Sequence, residues 1–104
     1  MTDEMKIAAI GECMIEISAR PSDGCGGGMT LAYGGDTLNT AVYLARLGRD
    51  NGIKVDYLTA LGDDPYSDEM LAFWQAEGIG TDRIPRLPGR LPGLYTIRTD
   101  DEGE

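Results

Sequence analysis

GGDTLNTAVYLARLG, residues 34–48, is a pair of glycines followed by a helical pattern. Either Asp36 or Thr37 is expected to cap the helix at its start, and Gly48 is expected to end it. Apolar residues recur at i, i+3, i+4 and i+7, which predicts one helix with a single apolar stripe formed by Leu38, Ala41, Val42 and Ala45.

The glycine pair has two interpretations. Gly34 and Gly35 let the backbone approach another group closely, and the Asn39 amide lies near the same helix end. Free N–H groups of a first helical turn bind hydroxyl or carboxylate oxygens, so the stretch could form a binding site. It could equally be an ordinary capped helix in which Asn39 supports the turn, and spacing alone leaves both interpretations open.

Flanking segments predict further strands and a second helix. The apolar run Ile7–Ile10 predicts a strand buried on both faces, and Gly11 predicts a bend after it. The following strand alternates, with Glu12, Glu16 and Ser18 on its wet face. Residues 53–61 predict another core strand. A second helix is expected from Pro65, with Asp64 as its cap and Gly78 as its end. Its core-facing stripe is expected to follow Tyr66, Met70, Phe73, Trp74 and Glu77.

The remaining segments indicate connections and an edge strand. Glycine and proline predict a loop at residues 19–28, before a short strand at 29–33. Residues 83–94 contain three arginines. Such a segment could be either a loop that borders an anion site or a solvated connector. Residues 94–99 alternate like an edge strand, and 100–104 predict a hairpin turn. The strand and helix order favours an open α/β sheet, and the chain is expected to be the first part of a longer one.

Composition excludes several function classes. With 9 Lys+Arg against 18 Asp+Glu, the net charge of −9 argues against nucleic-acid partners and anionic membranes. Histidine is absent, which excludes Ser-His-Asp triads and imidazole ligands to metals. Cys13 and Cys25 form no framework, so a reduced cytoplasm is the expected location. Asp63 and Asp64 are interpreted as structural turn residues, and no metal site is predicted.

Four stretches together resemble the PfkB, or ribokinase-like, sugar kinases. GGDTLNTAVYLARLG resembles the first signature of that family, and IGECMIEIS, residues 10–18, resembles its opening strand. YLTALGDDPYSDEMLAFWQAEGIGTDRI, residues 57–84, is similar to the second βα unit, and GLYTIRTDDEGE, residues 93–104, to a returning lid strand. The resemblance covers essentially the whole chain and is greatest to the 2-keto-3-deoxygluconate kinase branch.

This resemblance implies a fold and a substrate site. The chain would be the N-terminal part of a three-layer α/β fold with parallel core strands, covering helices and a small β-sheet lid. Core elements would span about 5–11 and 36–82, and lid strands about 12–33 and 84–99. Tyr95 would face the sugar from the lid, and Glu16 stands where relatives carry an acid that contacts sugar hydroxyls. The substrate site would be lined by Gly34, Gly35, Asp36, Thr37 and Leu38, with Asn39 beside them.

The resemblance also implies a reaction, in which the γ-phosphate of ATP moves to the primary hydroxyl of a sugar acid with magnesium. The second family signature, D-T-x-G-A-G-D, does not occur in the 104 residues. In the family it carries the catalytic base and the phosphoryl anion hole. This chain is therefore expected to hold the acceptor side, with no catalytic residue and no ATP or magnesium site of its own. Charge suggests that the segment Arg86–Arg90 attracts an anionic sugar acid.

Two alternatives stay open. One keeps the family and changes the substrate to fructose, ribose or a nucleoside. The other is a non-catalytic sugar-binding or dimerisation module. In either case the lid strands would expose edges that pair between subunits, so a homodimer is expected.

Overall fold

A computed structural model describes residues 4–19, 28–100 and 102 of the chain. The loop expected at 19–28 and the turn expected at 100–104 fall largely outside these residues. The elements follow in the order β1 Met5–Ile10, β2 Met14–Ala19, β3 Thr30–Gly34, α1 Asp36–Gly48, β4 Ile53–Leu58, β5 Leu61–Gly62, α2 Pro65–Ala76, β6 Arg86–Leu87 and β7 Leu94–Arg98.

The core lies between a parallel strand pair and the two helices. β1 pairs with β4 in parallel, as the order of elements predicted. Val55 and Tyr57 on β4 are buried, and the Tyr57 ring meets the Trp74 ring of α2 edge-on, with centroids 5.0 Å apart. The predicted stripe of α1 completes this core through Leu38, Ala41 and Ala45.

The expectation that β1 is buried on both faces was wrong. Ile7 and Ala9 pack against the core, but Ile10 is 73% exposed and Ala8 is also exposed. Successive side chains of a strand point to opposite faces, and the second face of this strand pair is open to solvent across the described residues.

A separate three-stranded sheet has the order β3-β2-β7. β2 runs antiparallel to β3 and parallel to β7, which places Glu16 opposite Tyr95. The predicted edge strand at 94–99 is present as β7. The predicted lid range of 84–99 is longer than this strand, because β6 pairs with β5 instead and takes no part in the sheet.

The start of α1 differs from the prediction. Gly35 occupies the N-cap position in extended backbone, and no side chain caps the helix. Asp36 is instead the first helical residue, where a carboxylate interacts favourably with the positive end of the helix dipole. Gly48 is the last helical residue and lies close to β4, because a Cβ there would lie 2.5 Å from the Ile53 Cβ.

The start of α2 confirms the prediction in detail. Asp64 caps the helix, and its Oδ1 accepts from the Ser67 N–H at 3.0 Å. Its Oδ2 accepts from the Ser67 hydroxyl at 2.7 Å. The apolar stripe is shifted, however, because Ser67, Met70 and Trp74 are buried whereas Phe73 is 58% exposed. Gly78, with φ of 80°, follows the helix as expected.

Replacing Asp64 with alanine is expected to lower the free energy of unfolding by about 1–2 kcal/mol at neutral pH. Burial raises the pKa of Asp64, but hydrogen bonds from Ser67 and from the backbone at Asp64 and Tyr66 together outweigh it and bring the pKa below its ordinary value. The contribution is therefore present above the unfolded-state pKa and declines as pH falls through the native one. Urea unfolding at neutral and acidic pH measures this contribution. Replacement of the exposed Asp82 with alanine is the control. An equal loss of unfolding free energy in both variants would show that the Asp64 cap does not stabilise α2.

No helix of the described residues is long and apolar enough to cross a membrane.

Candidate functional site

A cavity of about 570 Å³ opens where the start of α1 meets the three-stranded sheet. We call it the acceptor cavity. Two of the predicted site residues lie outside its lining: Leu38 is buried in the core, and Thr37 packs on Gly11, where a Cβ would lie 2.5 Å from the Thr37 Cβ. The lining comprises Met14, Glu16, Tyr33, Gly34, Gly35, Asp36, Asn39 and Tyr95, which include the other six predicted residues.

The glycine pair allows two close approaches. A Cβ at Gly34 would lie 2.6 Å from the Tyr95 hydroxyl, so this glycine leaves room for the tyrosine. A Cβ at Gly35 would lie 2.4 Å from the Glu12 carbonyl oxygen, so this glycine lets α1 begin directly against the β1–β2 connection. Both walls of the acceptor cavity therefore depend on the lack of a side chain at these two glycines.

The start of α1 supplies hydrogen-bond donors to the same region. The Asn39 N–H donates to the Gly35 carbonyl at 2.9 Å, which begins the helical ladder. N–H groups of residues 36–38 precede this bond and have no partner within the helix. Together with the exposed Asn39 amide, they form a polar end suited to hydroxyl or carboxylate oxygens.

Tyr95 and Glu16 form a hydrogen-bonded pair on the opposite wall. The Tyr95 hydroxyl donates to Glu16 Oε1 at 2.6 Å. This bond, followed by burial and the charge of Glu16, raises the pKa of Tyr95 to about 12. The phenol therefore stays protonated at neutral pH. The carboxylate retains lone pairs that can accept from ligand hydroxyls.

The residues that line the acceptor cavity include two carboxylates and no cationic side chain. Arg86, in the segment expected to attract an anion, already has partners within the chain. Its guanidinium donates to Asp68 Oδ1 at 2.6 Å and to the Gly62 carbonyl at 2.5 Å, which ties this loop to α2. Arg90 does not line the acceptor cavity either.

A second cavity, of about 580 Å³, lies between β3, α1 and α2. Most of its lining is apolar, with Leu31, Val42 and Phe73 among its side chains. Sugar sites need converging polar groups that fix hydroxyls. The acceptor cavity meets that requirement better, although the second cavity is as large.

Sequence reasoning missed two lining residues, Met14 and Tyr33. Met14 shares the wet face of β2 with Glu16, so strict alternation of the strand contained the signal. Tyr33 directly precedes the glycine pair, and its side chain leaves the sheet toward α2, where the hydroxyl donates to Glu69. Only the folded arrangement of β3 against α2 reveals that contact.

The described residues include no group of three or more His, Cys, Asp or Glu side chains that could hold a metal ion. The phosphate-binding pattern G-x-x-x-x-G-K-[ST] is missing from the sequence as well.

Comparison with known proteins decides the family. The family described as pfkB family carbohydrate kinase matches residues 4–104. The chain belongs to the PfkB family. A 2-dehydro-3-deoxygluconokinase from Dickeya dadantii (strain 3937) is 53% identical over 98 residues, covering 94% of this chain and 30% of that protein. A relative of the same name from Escherichia coli (strain K12) is 50% identical over 99 residues, covering 95% and 30%.

Solved structures confirm the ribokinase-like α/β fold of this PfkB chain. A fructokinase from Xylella fastidiosa superposes with a TM-score of 0.78 at 30% identity, over 95% of this chain and 30% of that one. A fructokinase from Xylella fastidiosa has also been solved with bound ATP, and it superposes with a TM-score of 0.78. A 2-dehydro-3-deoxygluconokinase from Thermotoga maritima gives a TM-score of 0.73 at 28% identity, over 89% and 28%. The chain spans about 30% of the length of the curated relatives it matches.

Proposed function

We propose that this chain forms the acceptor-binding part of a kinase that transfers the γ-phosphate of ATP to the primary hydroxyl of 2-dehydro-3-deoxygluconate, also called 2-keto-3-deoxygluconate. The product would be the 6-phosphate. One observation carries the proposal: the Tyr95–Glu16 pair faces the start of α1 across the acceptor cavity. The 53% identity to a relative of that name supports this choice of acceptor.

In this proposal the residues of the chain bind and orient the acceptor. Glu16 accepts from a sugar hydroxyl, and Tyr95 holds the carboxylate in place. The Asn39 amide and the N–H groups at the start of α1 donate to acceptor oxygens. Thr37 and Leu38 contribute through these N–H groups only, because their side chains pack elsewhere.

Bound ATP and magnesium would supply the phosphoryl group and neutralise its charge. The 104 residues lack the pattern D-T-x-G-A-G-D, so no step of the transfer is assigned to them. The contribution of this chain is the position of the hydroxyl that receives the phosphoryl group, which can account for several orders of magnitude in rate.

Charge favours a particular orientation of the sugar acid. Glu16 and Asp36 both line the acceptor cavity and would repel a carboxylate. We therefore expect the hydroxylated part of the acceptor to lie inside, with its carboxylate directed out of the cavity.

A second candidate is a kinase for an uncharged sugar such as fructose. The acidic lining favours it, and so does the superposition on a fructokinase.

An ADP-release assay of the complete protein separates the candidates, with 2-dehydro-3-deoxygluconate, fructose, ribose and a nucleoside as acceptors. We expect kcat/KM for the sugar acid to be at least about tenfold higher, which equals about 1.4 kcal/mol. Preference for fructose would support the second candidate, and no turnover at all would support the non-catalytic module.

We also propose that the protein forms a homodimer through the three-stranded sheet. β3 and β7 are its edge strands, and Leu31 and Leu94 are about half exposed on one of its faces. Sedimentation at two concentrations should detect the dimer, and Leu94→Asp should shift it toward monomer. A concentration-independent monomer would contradict this proposal.

A cytoplasmic location stays a prediction.

A further inference from the structure

Tyr33 links the three-stranded sheet to α2. Its hydroxyl donates to the Glu69 carboxylate of α2, 36 residues away. Its ring also packs on Phe73, with centroids 6.0 Å apart and planes at 50°. Burial and the hydrogen bond to Glu69 both raise the pKa of Tyr33, so its hydroxyl remains a donor at neutral pH.

Tyr33 lies where its link to α2 can affect the shape of the acceptor cavity. Tyr33 immediately precedes Gly34 and lies opposite Ile15, which is buried in the core. Its neighbour Gly34 leaves the room that the Tyr95 hydroxyl occupies. Because β3, β2 and β7 form one hydrogen-bonded sheet, a displacement of β3 relative to α2 would move the Tyr95–Glu16 pair relative to the start of α1.

We propose that Tyr33 is a positioning residue, whose bond to Glu69 holds β3 against α2 and thereby sets the width of the acceptor cavity. The inference rests on the proposed function for its kinetic consequence. Glu69 does not line the acceptor cavity, whereas Tyr33 does. A positioning role and a direct contact of the Tyr33 hydroxyl with the sugar therefore predict different behaviour for variants at Glu69.

Steady-state kinetics of the complete protein test the proposal, with the acceptor that proves active in the ADP-release assay. Tyr33→Phe keeps the ring on Phe73 and removes the hydroxyl, and Glu69→Ala removes the hydrogen-bond acceptor. Each is expected to raise KM for the sugar about tenfold while kcat stays within about twofold. The double variant should be no worse than either single one, because both remove the same bond. Glu69→Gln keeps an accepting oxygen and should restore a KM near that of the wild type.

Glu77→Ala is the matched control. Glu77 follows α2 directly and accepts from Arg46 Nε at 2.8 Å and from Arg46 Nη2 at 2.5 Å. This ion pair joins α1 to the end of α2 outside the acceptor cavity. This variant should lower Tm without raising KM. A raised KM in Tyr33→Phe alone would indicate direct contact and overturn the proposal. Unchanged KM in both Tyr33→Phe and Glu69→Ala, or additive effects, would also overturn it.

Hydrogen exchange provides a readout that needs no turnover. In Tyr33→Phe and Glu69→Ala, amides of β3 and of the glycine pair should exchange about tenfold faster, with no such change in Glu77→Ala. Unchanged exchange would overturn the positioning role even if every sugar proved inactive. Inactivity of the wild type, by contrast, would refute the proposed function alone.

Discussion

Replacing Gly35 with alanine should reduce kcat/KM for the acceptor by about 100-fold or more, because a shift of about 1 Å in a positioning group has effects of that size. The new Cβ would lie 2.4 Å from the Glu12 carbonyl oxygen, a backbone atom that cannot rotate away. Relief requires α1 to move from the β1–β2 connection, which displaces the N–H groups and Asn39 from the acceptor cavity. Kinetics and Tm of the complete protein measure both consequences.

Gly28→Ala is the matched control for this prediction. Among the residues that the structure describes, no atom lies within 4 Å of a Cβ built at Gly28, so the same substitution there should change neither kcat/KM nor Tm appreciably. If Gly35→Ala behaved like Gly28→Ala, the close approach of α1 to Glu12 would have no importance for the site.

Trp74→Ala should lower the free energy of unfolding by about 3–5 kcal/mol, which is typical for deletion of a large buried aromatic ring. Trp74 is 2% exposed and packs edge-on against the fully buried Tyr57. Removing the indole would leave a cavity between α2 and β4. Urea unfolding monitored by circular dichroism measures the loss, since the variant lacks the only tryptophan of the chain.

Phe73→Ala provides the comparison, because Phe73 is the preceding residue of the same helix and is 58% exposed. We expect a loss below about 1 kcal/mol, as for most exposed positions. Equal losses in the two variants would mean that α2 is rotated relative to the described packing.

This pair of aromatic residues also illustrates what sequence periodicity can predict. A spacing of 3.6 residues identified α2 but did not distinguish Phe73 from Trp74, since both are large and apolar. Ser67 faces the core because its hydroxyl is satisfied by Asp64, and a polar residue gives no signal in an apolar stripe. For α1 the stripe was predicted correctly, since Leu38, Ala41 and Ala45 are buried. Val42 is partly buried and packs against the same core.

Features that depend on distant contacts were predicted less well. The cap of α1 was assigned to Asp36 or Thr37, but the close approach to Glu12 makes Gly35 the N-cap. Arg86 pairs with Asp68, 18 residues earlier, a contact that the sequence analysis did not predict. β1 was expected to be covered on both faces, and local hydrophobicity cannot indicate which elements cover a strand.

The residues of the acceptor cavity were predicted partly from local sequence and partly from the resemblance to a family. Gly34, Gly35 and Asn39 are close in sequence, and local chemistry already suggested a binding site there. Tyr95 and Glu16 are 79 residues apart. Only the resemblance to a family suggested that each belongs to the site, and their hydrogen bond was not predicted. The link from Tyr33 to Glu69 required the folded structure, because neither residue belongs to a recognisable motif.

The most direct test is a crystal structure of the complete protein with 2-dehydro-3-deoxygluconate bound. We predict density for the acceptor in the cavity between the start of α1 and the Tyr95–Glu16 pair, with a hydroxyl within hydrogen-bond distance of Glu16. Density in the second cavity, between β3, α1 and α2, or elsewhere on the protein would contradict the assignment of the acceptor site to these residues.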